Sequence, residues 1–376
     1  MVHKRTTTQL NQPLSKHFSV LTMILSALIV GCKSQEPKAV VAVEPVTCDL
    51  TKTLAGEIID VQCLIKSNQD PHHFKITPQQ RQQLTEAKRI FSFGVNLTPA
   101  IASWANQKKT TLLAVKTTQE RKISGTEAHS SAHGHDDHHA PEDDHGHHGS
   151  NDEQQGSSTH DHDEIHGSED DHGHHHDPLN DPHIWHDPAK TELVIDKISA
   201  GLLQIIPTNR TQERKKIEER QASTKQLMID LDKWNKAQIS TIPKNQRLLI
   251  TRHAGMKKYA DKYGLNYMAI YNAANAKSLQ PNRLNQTLNA LNKNRVPVIF
   301  SEQTPASKTM QALSRQSGIP LANNRLIVDG LLPDGTTVST AVWNTCTIVN
   351  GLGGNCDEEF GKELNERWQE ISANKD

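Results

Sequence analysis

At 376 residues the chain exceeds what one small core accommodates and predicts about two globular units. Its 42 basic and 43 acidic residues leave a formal charge of −1, which excludes a global field favouring nucleic acid or anionic lipid, so ligands must be sought in local clusters. Histidine is abundant at 22 residues while aromatics make up only 4%, and histidine at that level has a chemical reason more often than a packing one.

Lys4, Arg5 and Lys16 precede an apolar run over residues 18–30 that is too short to remain in a bilayer and ends in small residues. This predicts a signal peptide over residues 1–31 and a flexible tether over 32–38. Ile29-Val30-Gly31-Cys32 resembles the lipobox of bacterial lipoproteins, which implies acylation at Cys32 and a lipid-anchored, extracytoplasmic protein, in the periplasm or at the cell surface. An ordinary secretory signal with a chance cysteine is the alternative. Beyond Cys32 stand Cys48, Cys63, Cys346 and Cys356, an even number that suggests disulfides with three possible connectivities. Pairing Cys48 with Cys63 and Cys346 with Cys356 keeps each bond within one half of the chain. A thiolate metal site lacks the usual C-x₂-C spacing.

Short apolar runs recur along the chain at residues 40–43, 57–65, 90–94 and 112–115, and again at 248–251, 267–270, 296–300 and 326–328. The stretches between most of them are long enough for a helix. This alternation predicts an α/β fold with two lobes, each a four-stranded, mainly parallel sheet flanked by helices. The N-terminal lobe is expected over residues 39–207 and the C-terminal lobe over 241–376, with one long linking helix over 208–240. In that helix Ile217, Thr224, Leu227, Leu231 and Trp234 share a face, Thr208 or Asn209 is available as a cap, and Pro243 lies beyond the end. About 30 residues make a rigid rod of roughly 45 Å.

Residues 128–177 have no periodicity and almost no large apolar side chains, but hold 15 histidines among Asp, Glu, Gly and Ser. Such a segment buries too little apolar area to offset its ordering entropy, so it is expected to be disordered without metal. His133, His135, His138, His139, His145, His147, His148, His172, His174, His175 and His176 are its candidate metal donors. A solvated acidic loop and a cloning tag are the alternatives; interspersed histidines at an internal position disfavour the tag.

Three histidines stand apart, each next to a predicted strand end or helix start: His72 in DPHHF, His183 in DPHIWHDP and His253 in TRHAGM. Ligands of open α/β sheets bind at the carboxyl ends of strands, so the three are expected to converge on one cleft between the lobes. The segments DPHHFKITP, DPHIWHDP and TRHAGMKKYADKYGL resemble three signature stretches of the cluster A-I solute-binding proteins of ABC importers, with VIFSEQ and LIVDGL similar to two more. The resemblance spans almost all of the chain after the signal. It implies capture of a metal ion and its delivery to a membrane permease and ATPase, by a monomer that is not an enzyme. It implies His72, His183 and His253 as metal ligands and Asp329 as a carboxylate facing the ion, at a position that water often fills in zinc members. His253 replaces the Glu of manganese and iron members, and three imidazoles suit Zn²⁺ better than Mn²⁺. The acidic, histidine-rich segment before His183 is likewise typical of the zinc branch. The chain departs from the family at His73, His186 and Lys75. His73 and His186 are candidates for auxiliary coordination, and Glu302 for orienting an imidazole from behind.

Three other functions compete with zinc delivery. The first is a lipoprotein for Mn²⁺ or another divalent metal, and the second an adhesin or metal buffer that serves no importer. The third is a zinc hydrolase, disfavoured because no H-E-x-x-H helix or motif-placed general base is present.

Overall fold

The computed structural model describes residues 39–67, 69–113, 181–271, 281–302 and 305–373. The expected signal peptide, the tether with Cys32 and the histidine-rich segment 128–177 lie outside them.

Strands β1 (Val40–Ala42), β2 (Val61–Cys63), β3 (Arg89–Ser92) and β4 (Thr110–Leu112) form one parallel sheet in the order β2-β1-β3-β4. Alternate residues serve opposite faces. Val40 and Phe91 pack with Leu50, Leu54 and Ile195, while Val41 and Ile90 pack with Leu84, Ile101 and Trp104. Burial on both faces is why the central strands β1 and β3 read as continuous apolar runs.

The crossover helices start where local chemistry dictates. Helix α1 (Pro45–Ala55) begins with proline in its first turn, and its last turn is closed by the Gly56 N–H donating to Lys52 O. Gly56 has φ +52°, and the Arg220 guanidinium fills the space where a side chain would stand. This turn is why β2 covers only the middle of the apolar run 57–65. Helix α2 (Pro78–Glu86) opens on a capping box between Thr77 and Gln80. The short α3 (Ala102–Ala105) precedes β4, which starts two residues before the expected run. Asp187 caps α4 (Pro188–Leu203) by accepting the Ala189 N–H.

The long helix is α5 (Thr211–Ser240), 30 residues, and the expected face is buried, joined by Arg220, Met228, Asn235 and Gln238. Its cap differs from expectation: Arg210 occupies the cap position without a side-chain hydrogen bond to the helix's free N–H groups, and neither Thr208 nor Asn209 caps the helix.

In the second half β5 (Leu248–His253) and β6 (Asn266–Tyr271) form a regular parallel pair, and they are the only two strands of that sheet among the described residues. The runs at 296–300 and 326–328 lie alongside but join through isolated bonds. Phe300 N donates to Ile250 O at 3.2 Å, Leu326 N donates to Ser301 O at 2.9 Å, and Ile299 bridges Leu321. Pro297 and Pro320 supply no N–H, which interrupts any ladder at these positions. Helices α6 (Lys257–Tyr263), α7 (Pro281–Lys293), α8 (Lys308–Ser317), α9 (Thr337–Gly351) and α10 (Glu358–Ala373) complete the order.

The halves share an apolar core. Leu331, Val338, Cys346, Leu364 and Trp368 from the end of the chain pack in one cluster with Val46, Leu50 and Ile195. Asp49 of α1 accepts hydrogen bonds from Thr337 N and Oγ1 at 2.6 and 2.7 Å, a bond that spans the two halves. Buried polar bonds fasten α5, α6 and α9 together. Asn235 donates to Tyr263 Oη at 3.1 Å and accepts from Thr345 Oγ1 at 2.8 Å, and Tyr259 reaches Thr345 at 2.9 Å. The two tyrosines of the Y-x-x-x-Y-G-L segment therefore anchor the helix that follows His253, and Gly264 ends that helix at φ +69°. Cys48 is bonded to Cys63 and Cys346 to Cys356, with Cα atoms 5.4 and 5.2 Å apart, the pairing preferred from the sequence.

Candidate metal centre

Asp-Pro-His occurs twice and builds the same local device twice. The Asp70 Oδ1 atom accepts the His72 N–H at 2.8 Å, and the Asp181 Oδ1 atom accepts the His183 N–H at 3.0 Å. Proline follows each aspartate with its φ already set, so each histidine stands at a tight turn with its backbone held. The third histidine, His253, is the last residue of β5, and its carbonyl oxygen accepts from Thr251 Oγ1 at 2.7 Å and Tyr267 Oη at 2.9 Å.

Four side chains from both halves converge. Ligand atoms of His72, His183, His253 and Asp329 all lie within 4.8 Å of one another. Asp329 Oδ1 is 3.0 Å from His183 Nε2, 3.2 Å from His253 Nε2 and 3.5 Å from His72 Nε2. The imidazoles of His183 and His253 are 0% and 3% exposed, so two polar rings have been taken out of water to face a common point. Asp329 is brought there by a close approach of backbones. Leu331 N donates to Ser67 O at 3.4 Å, and a Cβ on Gly330 would meet that oxygen at 2.5 Å.

Both buried imidazoles are oriented from behind. The His183 Nδ1–H donates to Asp181 Oδ1 at 2.8 Å, and the His253 Nδ1–H donates to Glu302 Oε2 at 2.6 Å. With Nδ1 committed to a carboxylate, Nε2 is the atom left to face the centre. Burial alone would lower the pKa of both rings, yet both are raised, His183 by Asp181 and Asp329 and His253, well above its ordinary value, by Glu302 and Asp329. Asp329 is held well below its ordinary value despite burial, by His253 and by hydrogen bonds from the three rings. The carboxylates around them thus favour the protonated form of both buried rings.

The remaining sequence candidates are placed elsewhere. His186 is buried, donates through Nε2 to Val328 O at 2.9 Å and is driven down to about pKa 4 by burial and by His183; it stands outside the four-residue cluster. His73 is 51% exposed and bonds Asp70 Oδ2 at 2.8 Å, also outside the cluster. Neither ring joins the four-residue cluster in this arrangement. Glu302 stands behind His253, with Oε2 2.6 Å from the ring Nδ1. The histidines of segment 128–177 and Cys32 lie outside the described residues.

Three contributors escaped the sequence reading. Asp181 orients His183, and the repeated Asp-Pro-His was the available signal. Trp185 packs its ring 5.3 Å from both His183 and His186. Gly255 forms a wall of the centre: a Cβ there would overlap Val328 Cγ1 and lie 2.8 Å from His253 Nε2.

Comparisons with known proteins agree with this picture. Residues 40–351 match the family described as ZnuA, zinc-uptake complex component A, periplasmic. The metal ABC transporter substrate-binding lipoprotein SloC of Streptococcus mutans is 22% identical over 90% of this chain and 99% of its own length. The manganese ABC transporter substrate-binding lipoprotein PsaA of Streptococcus anginosus is 21% identical over 89% and 98%. Among solved structures, the periplasmic zinc-binding protein TroA of Treponema pallidum superposes with a TM-score of 0.61 at 17% identity, covering 84% of this chain and 99% of its own. The Fe(III)-bound YtgA of Chlamydia trachomatis gives 0.61 at 18% identity, covering 85% and 99%.

Proposed function

The chain belongs to the periplasmic zinc-uptake component A family, the metal-binding subunits of ABC importers, and on that premise we propose that its cargo is Zn²⁺. His72, His183 and His253 are its nitrogen donors and Asp329 its oxygen donor. The observation that carries this reading is the convergence of three imidazoles and one carboxylate within 4.8 Å, two of the imidazoles backed by carboxylates. Three neutral nitrogen donors and four-coordinate geometry favour a borderline-soft ion over Mn²⁺. Cargo captured outside the cytoplasm passes to a membrane permease driven by its ATPase, with the protein tethered, as a monomer, through acylated Cys32. Relatives are named for iron and manganese as well, so the competing cargo is Mn²⁺ or iron.

Histidines of segment 128–177 are proposed to collect further Zn²⁺ near the cleft. Fixing a long polar segment around each ion carries an entropic cost, so these sites are expected to be weaker than the cleft, while tethering raises the local ion concentration. Calorimetry tests both readings. The full chain is expected to take up one Zn²⁺ tightly and several weakly, and to prefer Zn²⁺ over Mn²⁺ in competition. With residues 128–177 deleted, one tight site is expected to remain and the weak ones to disappear. Preference for Mn²⁺ overturns the choice of cargo; loss of the tight site makes the segment a primary source of ligands.

The orienting carboxylates give a separate expectation. Replacing Glu302 by Gln leaves an oxygen able to accept the His253 N–H, which is 3.1 Å from Oε1, but removes the charge behind the ring. Zinc affinity is expected to fall by about 10–100-fold, as for other orienting partners of metal-bound histidines. Chelator competition measures it, and wild-type affinity would deny Glu302 this role.

A further inference from the structure

Each buried imidazole of the cleft is backed by a carboxylate, and each carboxylate faces a cation. Lys258 Nζ lies 3.9 Å from Asp181 Oδ2, and Arg252 Nε lies 3.8 Å from Glu302 Oε2. Both cations are largely withdrawn from water, at 15% and 18% exposure, and the Arg252 guanidinium is also held 5.7 Å above the ring of Tyr271. They flank His253 in sequence, one immediately before it and one in the first turn of α6. The next lysine along, Lys262, is committed elsewhere, to Asp187 at 3.5 Å and Asp232 at 3.4 Å.

Two positive charges beside a cation-binding cleft need a reason. Holding the carboxylates in place is not a sufficient one, because the imidazoles' own residues already do so. Asp181 Oδ1 takes both the backbone N–H and the ring Nδ1–H of His183, and Glu302 takes the same pair from His253 through its two oxygens. Each carboxylate therefore keeps two hydrogen bonds when its cation is removed. What the cations add is charge, and it opposes the bound ion. Three carboxylates, Asp181, Glu302 and Asp329, surround the centre, and without compensation they would draw a dication into a site that releases it slowly.

We propose that Arg252 and Lys258 set the release of the dication: their charge weakens the cleft's hold on the ion and speeds its departure, without touching it. The inference rests on the cleft being a dication site, and deepens that reading by assigning affinity control to two residues outside the ligand set. At an effective dielectric near 20, a unit charge about 10 Å from a dication, screened by physiological salt, changes affinity by roughly five- to tenfold.

The experiment uses the full chain with Lys258→Met, Arg252→Met and the charge-keeping Lys258→Arg and Arg252→Lys. Affinity comes from chelator competition with Zn²⁺ and with Mn²⁺, and dissociation from stopped-flow transfer to an excess of chelator. Each Met variant is expected to bind roughly five- to tenfold tighter and to release correspondingly more slowly, by the same factor for both ions because their charge is the same. Charge-keeping variants are expected to match wild type, and the Co²⁺-loaded protein's visible spectrum to be unchanged throughout, as the ligand geometry is untouched. Equal or weaker binding by the Met variants, or an altered Co²⁺ spectrum, overturns the proposal and makes the cations structural. His253→Ala separates this from failure of the cleft reading: if that variant binds both ions as wild type does, the cleft is not the dication site and both readings fall together.

Discussion

Zinc affinity is expected to collapse on mild acidification, beginning at a higher pH than a site of ordinary histidines would show. The sign follows from the two buried rings. In the metal-free cleft His183 and His253 keep their protons to a pH above the ordinary histidine value of about 6.5, because Asp181, Glu302 and Asp329 stabilise the charged rings. A raised pKa in the metal-free state means that binding is unopposed by protons only above that pKa, and is progressively lost as pH falls through it. With at least two protons displaced per ion, affinity is expected to drop by up to about a hundredfold for each pH unit once both rings are protonated. Calorimetry in buffers of different ionisation enthalpy counts the released protons directly, and chelator competition from pH 7.5 to 5 traces the slope. A flat profile would sink the three-histidine site. His186, driven down to about pKa 4, is neutral across this range and contributes nothing to the slope.

Replacing any one of His72, His183 or His253 by Ala is expected to cost more than about a hundredfold in zinc affinity, beyond the range that orienting partners typically contribute. Among the described residues no other histidine belongs to the cluster. His183 is buried beside Trp185, so its Ala variant leaves a hole that could unsettle the fold. His183→Gln, which fills more of that space, separates the loss of a donor from the loss of packing. A single variant of the three that retains wild-type affinity under chelator competition removes that residue from the ligand set. The expectation differs sharply from that for deletion of residues 128–177, which is expected to leave the tight site in place.

Much of this architecture is written in local patterns, which is why it is legible without coordinates. Parallel strands covered on both faces have to be apolar throughout, so β1, β3, β5 and β6 announce themselves as runs. A 30-residue amphipathic helix between two such series shows its buried stripe through Ile217, Leu227, Leu231 and Trp234. The two Asp-Pro-His turns are equally local, because the aspartate that holds each backbone N–H lies two residues before its histidine. Cysteines 15 and 10 residues apart pair within their own neighbourhoods for the same reason of short chain closure.

What only the tertiary structure decided depends on groups brought together from distant parts of the chain. Among the described residues the second sheet has two regular strands, with Pro297 and Pro320 interrupting any further ladder, although the apolar runs at 296–300 and 326–328 match the composition of strands. Trp368 and Leu364 complete the core of the first half from the end of the chain, a contact no periodicity encodes because it joins two faces that are each merely apolar. At the centre, the sequence suggested that histidines and a carboxylate would meet, but not which nitrogen each would present. That choice belongs to Asp181 and Glu302, whose negative charge claims Nδ1 of His183 and His253 and leaves Nε2 facing Asp329. Gly255 and the pair Arg252 and Lys258 were invisible for the same physical reason: an empty volume and a charge acquire meaning only from what stands within a few ångströms of them, and sequence order does not record that distance.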